Sequence, residues 1–161
     1  YKRVGFDFDK IPFSMLAHEY MEDYQEKSYA CDLHSDVLDV VNKAKNLGFS
    51  QTVLSASKMD YLLKQMETLH VDDLFDSIYG INDIYAKSKV ELAHAFKQTC
   101  SLDDEIYFVG DSVHDYEVAK SIGAKCILVT TGHQNRATLE SVNVPVMDSL
   151  MESLDLIYER D

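Results

Sequence analysis

The fold is decided by the stretch from residue 106 to residue 129, which reads IYFVGDSVHDYEVAKSIGAKCILV. It opens on a short apolar run that ends at Gly110 and continues into a segment with apolar residues at helical spacing. It closes on a second apolar run after Gly123. This order predicts a strand, a helix and a second strand, with Asp111 and Asp115 following the end of the first strand. Such a unit is typical of two parallel strands joined by a helical crossover.

The same alternation continues through the rest of the chain. Strands are predicted at 3–8, 51–55, 75–79, 106–109, 126–129 and 144–147, and helices at 35–47, 59–69, 89–99, 116–122 and 150–157, with a mixed helical stretch at 11–30. We therefore expect an α/β fold, a doubly wound three-layer sandwich around a mostly parallel sheet. Ligands of such sheets bind beyond the carboxyl ends of the strands, so site residues are expected where strands end.

The composition excludes several classes of function. The 161 residues include 28 Asp and Glu against 15 Lys and Arg, which gives a net charge of −13. A chain this acidic is a poor partner for nucleic acid or an anionic membrane, and no apolar run approaches the ~18 residues of a membrane span. Its three cysteines are far apart and match neither a disulfide framework nor a zinc site. We therefore expect a reducing, cytoplasmic setting, and the oligomeric state stays open.

Residues able to do chemistry recur at these predicted strand ends. Two carboxylates that lie two residues apart share one face of a strand, and they repel each other unless a cation or a proton intervenes. Taken singly, each candidate has an ordinary explanation, such as a solvated strand end, a helix cap or a surface lysine. Together they supply a nucleophile, a second acid, a hydroxyl, a cation and oxygen ligands for a metal, which phosphoryl transfer to a carboxylate requires. The candidates are Asp7, Asp9, Ser55, Lys89, Asp111 and Asp115.

These segments resemble those of the haloacid dehalogenase-like hydrolase superfamily, most closely its branch of phosphoglycolate phosphatases and phosphoglucomutase-like enzymes. The resemblance covers nearly the whole chain. The most specific piece is G-D-S-x-x-D followed by A-x-x-x-G, whereas a lone Asp-x-Asp would be weak. The matching segments are 4–9, 53–55, 88–89 and 110–115. The implied fold is a Rossmann-like core domain spanning residues 1–161.

The resemblance implies a phosphatase mechanism in which Asp7 attacks phosphorus and forms an aspartyl-phosphate. Asp9 would protonate the leaving oxygen and then activate water. Lys89 would neutralise the phosphate and the Asp7 carboxylate. The substrate would be a small phosphorylated metabolite.

The resemblance also implies binding roles. Ser55 and Ala56 would hold the phosphate. The cofactor would be Mg²⁺, bound by Asp7, the backbone carbonyl of Asp9 and Asp111, with Asp115 acting directly or through water. The cation would offset repulsion between a dianionic substrate and this acidic site.

The chain departs from the family pattern after Asp9. Pro12 and Phe13 are not what the first motif predicts, and only about twenty-five residues lie where this branch carries a helical cap of several dozen residues. The cap is expected between residues 10 and 35. Either it is minimal or residues that belong there are missing from the chain, most simply after Lys10.

The same fold also carries other activities. A phosphomutase would return the phosphoryl group to a sugar instead of water. A dehalogenase is disfavoured because its chemistry gains nothing from Asp9, Asp111 and Asp115 together. A module of another class, a phosphorylated switch or a binding protein on the same fold, is disfavoured by the paired acids at 7 and 9.

Overall fold

A computed structural model of the chain describes residues 5–81 and 88–159. The chain divides into two compact units, Tyr1–Leu33 and His34–Asp161, called here the first and the second unit. Within the described residues, no helix combines the length and the apolar character that crossing a bilayer requires.

The first unit contains a turn followed by one helix. The Asp7 carbonyl oxygen accepts hydrogen bonds from the amides of Lys10 and Ile11, at 3.2 and 3.1 Å. Helix α1 (Phe13–Ser28) then follows Pro12. The predicted strand at 3–8 is not found in its described part, because the chain turns at Asp7; residues 3 and 4 lie outside the described residues. Helix α1 occupies the stretch where a cap was expected, and the cap itself stays a prediction.

The second unit alternates helices and strands as the sequence predicts. Its two sheets are parallel throughout: one pairs β1 with β2, and the other has the order β3-β4-β5. The α/β class with parallel strands is therefore confirmed, although the described strands form two sheets rather than one. The elements are α2 (Val37–Asn46), β1 (Thr52–Lys58), α3 (Met59–Thr68), β2 (Ser77–Ile81), α4 (Lys89–Thr99), β3 (Tyr107–Gly110), α5 (Val113–Ser121), β4 (Lys125–Val129), α6 (Arg136–Glu140), β5 (Val146–Met147) and α7 (Leu150–Tyr158).

The core of the second unit holds the site-bearing elements against one another. Ala93 of α4 and Val118 of α5 are both fully buried, and they pack with Leu54 of β1 and Phe108 of β3. Phe108 also packs against a second cluster built around Leu128 of β4. Residues with no exposed surface tolerate little displacement, because protein interiors are close-packed. The ends of β1, β3, α4 and α5 are thus fixed by one continuous core.

Candidate functional site

Asp115 is the centre of the polar cluster in the second unit. It lies in the first turn of α5 and is 3% exposed. Its Oδ2 atom accepts hydrogen bonds from the amides of Asp111 and Ser112, both at 3.0 Å, and from the Ser112 hydroxyl at 2.7 Å. Its Oδ1 atom accepts a bond from Lys89 Nζ at 2.6 Å. Both carboxylate oxygens are therefore held by protein donors.

The protonation of Asp115 follows from these contacts. Burial is the largest single influence and by itself raises the pKa of the carboxyl group. The bonds from Lys89 and Ser112, the charge of Lys89 and the Asp111 amide together outweigh burial, so the pKa lies below its ordinary value. Asp115 is therefore a carboxylate at neutral pH.

Lys89 is the first residue of α4, a position where a cation is unfavourable against the helix dipole. Its side chain is 18% exposed, and the ammonium lies 5.6 Å from the centroid of the Phe108 ring. The ion pair with Asp115 and the face of this ring stabilise the charge at this position. The predicted site residues Lys89 and Asp115 are thus brought into direct contact.

Asp111 differs from Asp115 because its carboxylate is 43% exposed. One oxygen, Oδ2, accepts the His133 amide at 3.1 Å, and the other has no hydrogen-bond partner in the described part of the chain. Asp111 is therefore the carboxylate of this cluster with an oxygen open to a ligand.

Two glycines make room for these two carboxylates. A Cβ atom on Gly110 would lie 2.3 Å from Cβ of Asp115, and one on Gly132 would lie 1.9 Å from Oδ2 of Asp111. Gly110 belongs to the predicted motif, whereas Gly132 was not predicted.

Gln134 follows the fifth predicted strand, where the sequence favours a plain surface loop over a place, with His133, at the rim of the site. Its side-chain oxygen accepts a hydrogen bond from the Val113 amide at 2.8 Å, at the start of α5. The available signal was a glycine followed by polar side chains just after β4, where residues 130–135 read TTGHQN.

Ser55 and Ala56 lie where the pairing of β1 with β2 is interrupted. The register is regular up to Leu54 and resumes at Lys58. Within the interruption, the Ser55 hydroxyl accepts the Ser57 amide at 3.1 Å and donates to the Ser57 hydroxyl at 3.1 Å. Ser55 is half-buried and Ala56 is exposed. Such irregularities turn a strand's side chains in new directions and are common beside active sites.

Asp7 and Asp9 lie in the turn of the first unit. The Asp9 amide donates to Oδ1 of Asp7 at 3.1 Å, and Lys10 Nζ lies 3.3 Å from the other oxygen. The Asp7 side chain is 48% exposed and that of Lys10 82% exposed, so this pair is weak. The Asp7 carboxylate is thus held by its sequence neighbours, and the catalytic roles of Asp7 and Asp9 stay predictions.

The donor chemistry at Asp111 fits a hard cation such as Mg²⁺, because it offers an exposed carboxylate oxygen. Across residues 5–81 and 88–159, no group of three or more His, Cys, Asp or Glu side chains is arranged to hold a metal. Asp115 has both oxygens engaged by protein donors. The ligand set of Asp7, Asp9, Asp111 and Asp115 stays a prediction.

Comparisons with known proteins identify the family of the chain and its fold. The family model described as haloacid dehalogenase-like hydrolase matches residues 4–129, which is more than half of the chain. A search of curated proteins found no match.

Solved structures share the fold at low sequence identity. A haloacid dehalogenase-like family hydrolase from Streptococcus pneumoniae is 20% identical, with a TM-score of 0.84 over 96% of this chain and 73% of its own. A predicted phosphatase from Clostridium acetobutylicum is 20% identical, with a TM-score of 0.81 over 98% of this chain and 74% of its own.

A third similar structure, from Thermotoga maritima, carries the predicted assignment beta-phosphoglucomutase. It is 14% identical, with a TM-score of 0.68 over 91% of this chain and 68% of its own. The fold, the G-D-S-x-x-D cluster and the family model lead to one conclusion: the chain belongs to the haloacid dehalogenase-like hydrolase family.

Proposed function

We propose that the chain hydrolyses the phosphate monoester of a small metabolite, with Mg²⁺ as cofactor and an aspartyl-phosphate intermediate on Asp7. The observation that supports this most is the buried ion pair of Lys89 and Asp115 next to Asp111. An ammonium group has three N–H donors, and Asp115 takes one. The described residues provide no acceptor for the other two, which suits an anionic ligand.

In the first step, the Asp7 carboxylate attacks phosphorus and the bond from phosphorus to the leaving oxygen breaks. Asp9 gives its proton to that oxygen, so the product leaves as a neutral alcohol. In the second step, Asp9 takes a proton from water, which attacks phosphorus, releases inorganic phosphate and regenerates Asp7.

Binding of the phosphoryl oxygens is assigned to Ser55, Ala56 and Lys89. The hydroxyl of Ser55 and the ammonium of Lys89 would donate to these oxygens. Mg²⁺, held by Asp111 with Asp7 and the Asp9 carbonyl, and by Asp115 directly or through water, would supply positive charge against the dianionic substrate.

A phosphomutase is the second candidate, favoured by the similarity to the Thermotoga maritima structure. It differs only in the acceptor, because a sugar hydroxyl instead of water would take the phosphoryl group from Asp7. A phosphatase releases inorganic phosphate and a phosphomutase isomerises a sugar phosphate, so assays of these two products separate the candidates.

A switch module would hold the phosphoryl group without turnover. A cytoplasmic location remains a proposal from the cysteine pattern.

The test is phosphate release from a panel of phosphomonoesters, with Mg²⁺ and with EDTA, by the unaltered chain and by Asp7→Asn. We expect turnover that requires Mg²⁺ and falls more than about 10³-fold in Asp7→Asn. Asp32→Asn, at an exposed aspartate of the same unit, is the matched control and keeps full activity. Activity that survives in Asp7→Asn, or in EDTA, contradicts the mechanism.

A further inference from the structure

The segment after β4 contacts the loop between β3 and α5 at two points. This segment is Gly132, His133 and Gln134, called here the 132–134 segment. Its His133 amide donates to Oδ2 of Asp111, and its Gln134 side chain accepts from the Val113 amide. The two bonds therefore hold both ends of the three residues Asp111, Ser112 and Val113.

The 132–134 segment has a rigid base. Strands β3 and β4 pair in parallel register, with Gly110 opposite Leu128, so the chain leaves both strands at the same edge of the sheet. Leu128 has no exposed surface and Val129 is 4% exposed. A loop that starts from such a strand can hold a neighbouring loop in place, because its own origin does not move.

The bond from His133 decides which oxygen of Asp111 is open. Oδ2 is engaged by the amide, and the absence of a side chain on Gly132 lets the backbone come this close. The Gln134 bond fixes the backbone two residues further on, at the first amide of α5. Asp111 is consequently held from both sides in one orientation.

We propose that Gln134 is a positioning residue for Asp111, which fixes, together with the His133 amide, the carboxylate oxygen that faces a divalent cation. This inference rests on the proposed function. Groups that orient a metal ligand without touching the metal commonly change metal affinity by 10- to 100-fold when removed.

The competing explanation is purely structural, because an amide in the first helical turn needs an acceptor and Gln134 supplies one. If that were its whole role, loss of the Gln134 oxygen would lower the melting temperature but leave cation affinity unchanged. Cation affinity therefore separates the two explanations, and melting temperature alone does not.

The test measures binding of Mn²⁺, a paramagnetic substitute for Mg²⁺, to the full chain by electron paramagnetic resonance. Gln134→Met removes the acceptor at nearly constant size, and Gln134→Glu keeps an oxygen in its place. We expect Gln134→Met to weaken Mn²⁺ binding about 10-fold. Gln134→Glu should bind as tightly as the unaltered chain or more tightly. Gln98→Met, at an exposed glutamine of α4, is the matched control.

A second variant removes the same hydrogen bond from the donor side. Val113 is the first residue of α5, where proline is well tolerated, and Ser112 before it has φ −144° and ψ 158°, which a following proline requires. Val113→Pro is expected to weaken Mn²⁺ binding to the same extent, and the double variant Gln134→Met/Val113→Pro no further. If Gln134→Met fails to fold, Val113→Pro decides the question.

Unchanged Mn²⁺ affinity in the Met or Pro variant, or equal losses in Gln134→Met and Gln134→Glu, overturns the inference. Failure of the proposed function looks different. In that case the unaltered chain binds Mn²⁺, Gln134→Met weakens this binding, and no phosphomonoester is hydrolysed.

Discussion

Two pairs of aspartates have different surroundings in this molecule. The Asp7 carboxylate is held by its sequence neighbours in an exposed turn, whereas Asp111 and Asp115 also accept hydrogen bonds from groups more than twenty residues away in sequence. Asp115 is almost fully buried and has both oxygens engaged. The difference teaches that burial with both oxygens engaged, as at Asp115, marks a carboxylate with a structural role. Asp7 and Asp111 are instead about half-exposed.

The largest effect on stability is expected at Asp115. Asp115→Ala leaves the ammonium of Lys89 without its partner in a mostly buried position, which costs about 3–5 kcal/mol of unfolding free energy. Asp111→Ala removes a half-exposed carboxylate and should cost about 1 kcal/mol or less. Urea denaturation of both variants measures the contrast.

A third variant tests whether the ion pair is the cause. Lys89→Met added to Asp115→Ala should recover part of the lost stability, because no unpaired charge is then left behind. Equal costs for Asp115→Ala and Asp111→Ala would show that the two carboxylates do not differ in the way described.

The two glycines next to these carboxylates should both resist substitution. Gly110→Ala places a methyl group 2.3 Å from Cβ of the buried Asp115, and overpacking of this kind costs about 1–3 kcal/mol. Gly132→Ala places a methyl group 2.3 Å from Cβ of Asp111, so turning the Asp111 carboxylate away does not relieve the contact. Both variants should therefore unfold at a lower temperature than the unaltered chain. Unchanged thermal unfolding of either variant would contradict this close packing.

Acid should destabilise the protein in part through Asp115. Burial raises the pKa of Asp115 in the folded state, but the contacts with Lys89 and Ser112 lower it by more, so the net shift is downward. The unfolded chain therefore binds this proton more readily. The contribution is complete above the ordinary aspartate pKa of ~3.9 and is lost as the pH falls through the lower folded value. Asp115→Asn should flatten the fall of stability as the pH drops below about 4. Parallel stability curves for this variant and the unaltered chain would reject this assignment.

The last and smallest expected effect is a difference in the rate of thiol labelling between two cysteines with contrasting surroundings. Burial, and then the charge of Asp115, raise the pKa of Cys126 to about 12, whereas Cys31 is exposed. A maleimide reagent near pH 7.5 should label Cys31 rapidly and Cys126 only after unfolding. Mass spectrometry of the labelled peptides gives the answer, and rapid labelling of Cys126 in the folded chain would contradict its buried position.

Local patterns predicted most of the second unit. The apolar spacing of 106–129 gives β3, α5 and β4 because each element is short and bounded by glycine or a capping side chain. Helix α5 begins at Val113 rather than at 116 because Ser112 caps it with its hydroxyl on the Asp115 amide. Such short-range contacts join residues only a few positions apart, so a single sequence can predict them.

The remaining contacts depend on residues that are distant in sequence. Nothing near Gln134 indicates that its partner is Val113, twenty-one residues earlier. The alternating apolar residues before Asp7 predicted a strand, but a strand also needs a neighbouring strand with which to form hydrogen bonds. The Asp7 carbonyl instead accepts the amides of Lys10 and Ile11, which form a turn. Pairing across long sequence separations is what a single sequence does not reveal.

The most direct test of the central claim is capture of the phosphoryl group on Asp7. Asp9→Asn should still be phosphorylated by p-nitrophenyl phosphate, because that leaving group needs no proton, but it should not activate water for the second step. Intact-mass spectrometry of this variant should show one added phosphoryl group, and peptide mapping should assign it to Asp7. Hydrolysis of the ester by the unaltered chain, with no such adduct in Asp9→Asn or with the group on another residue, would contradict the mechanism.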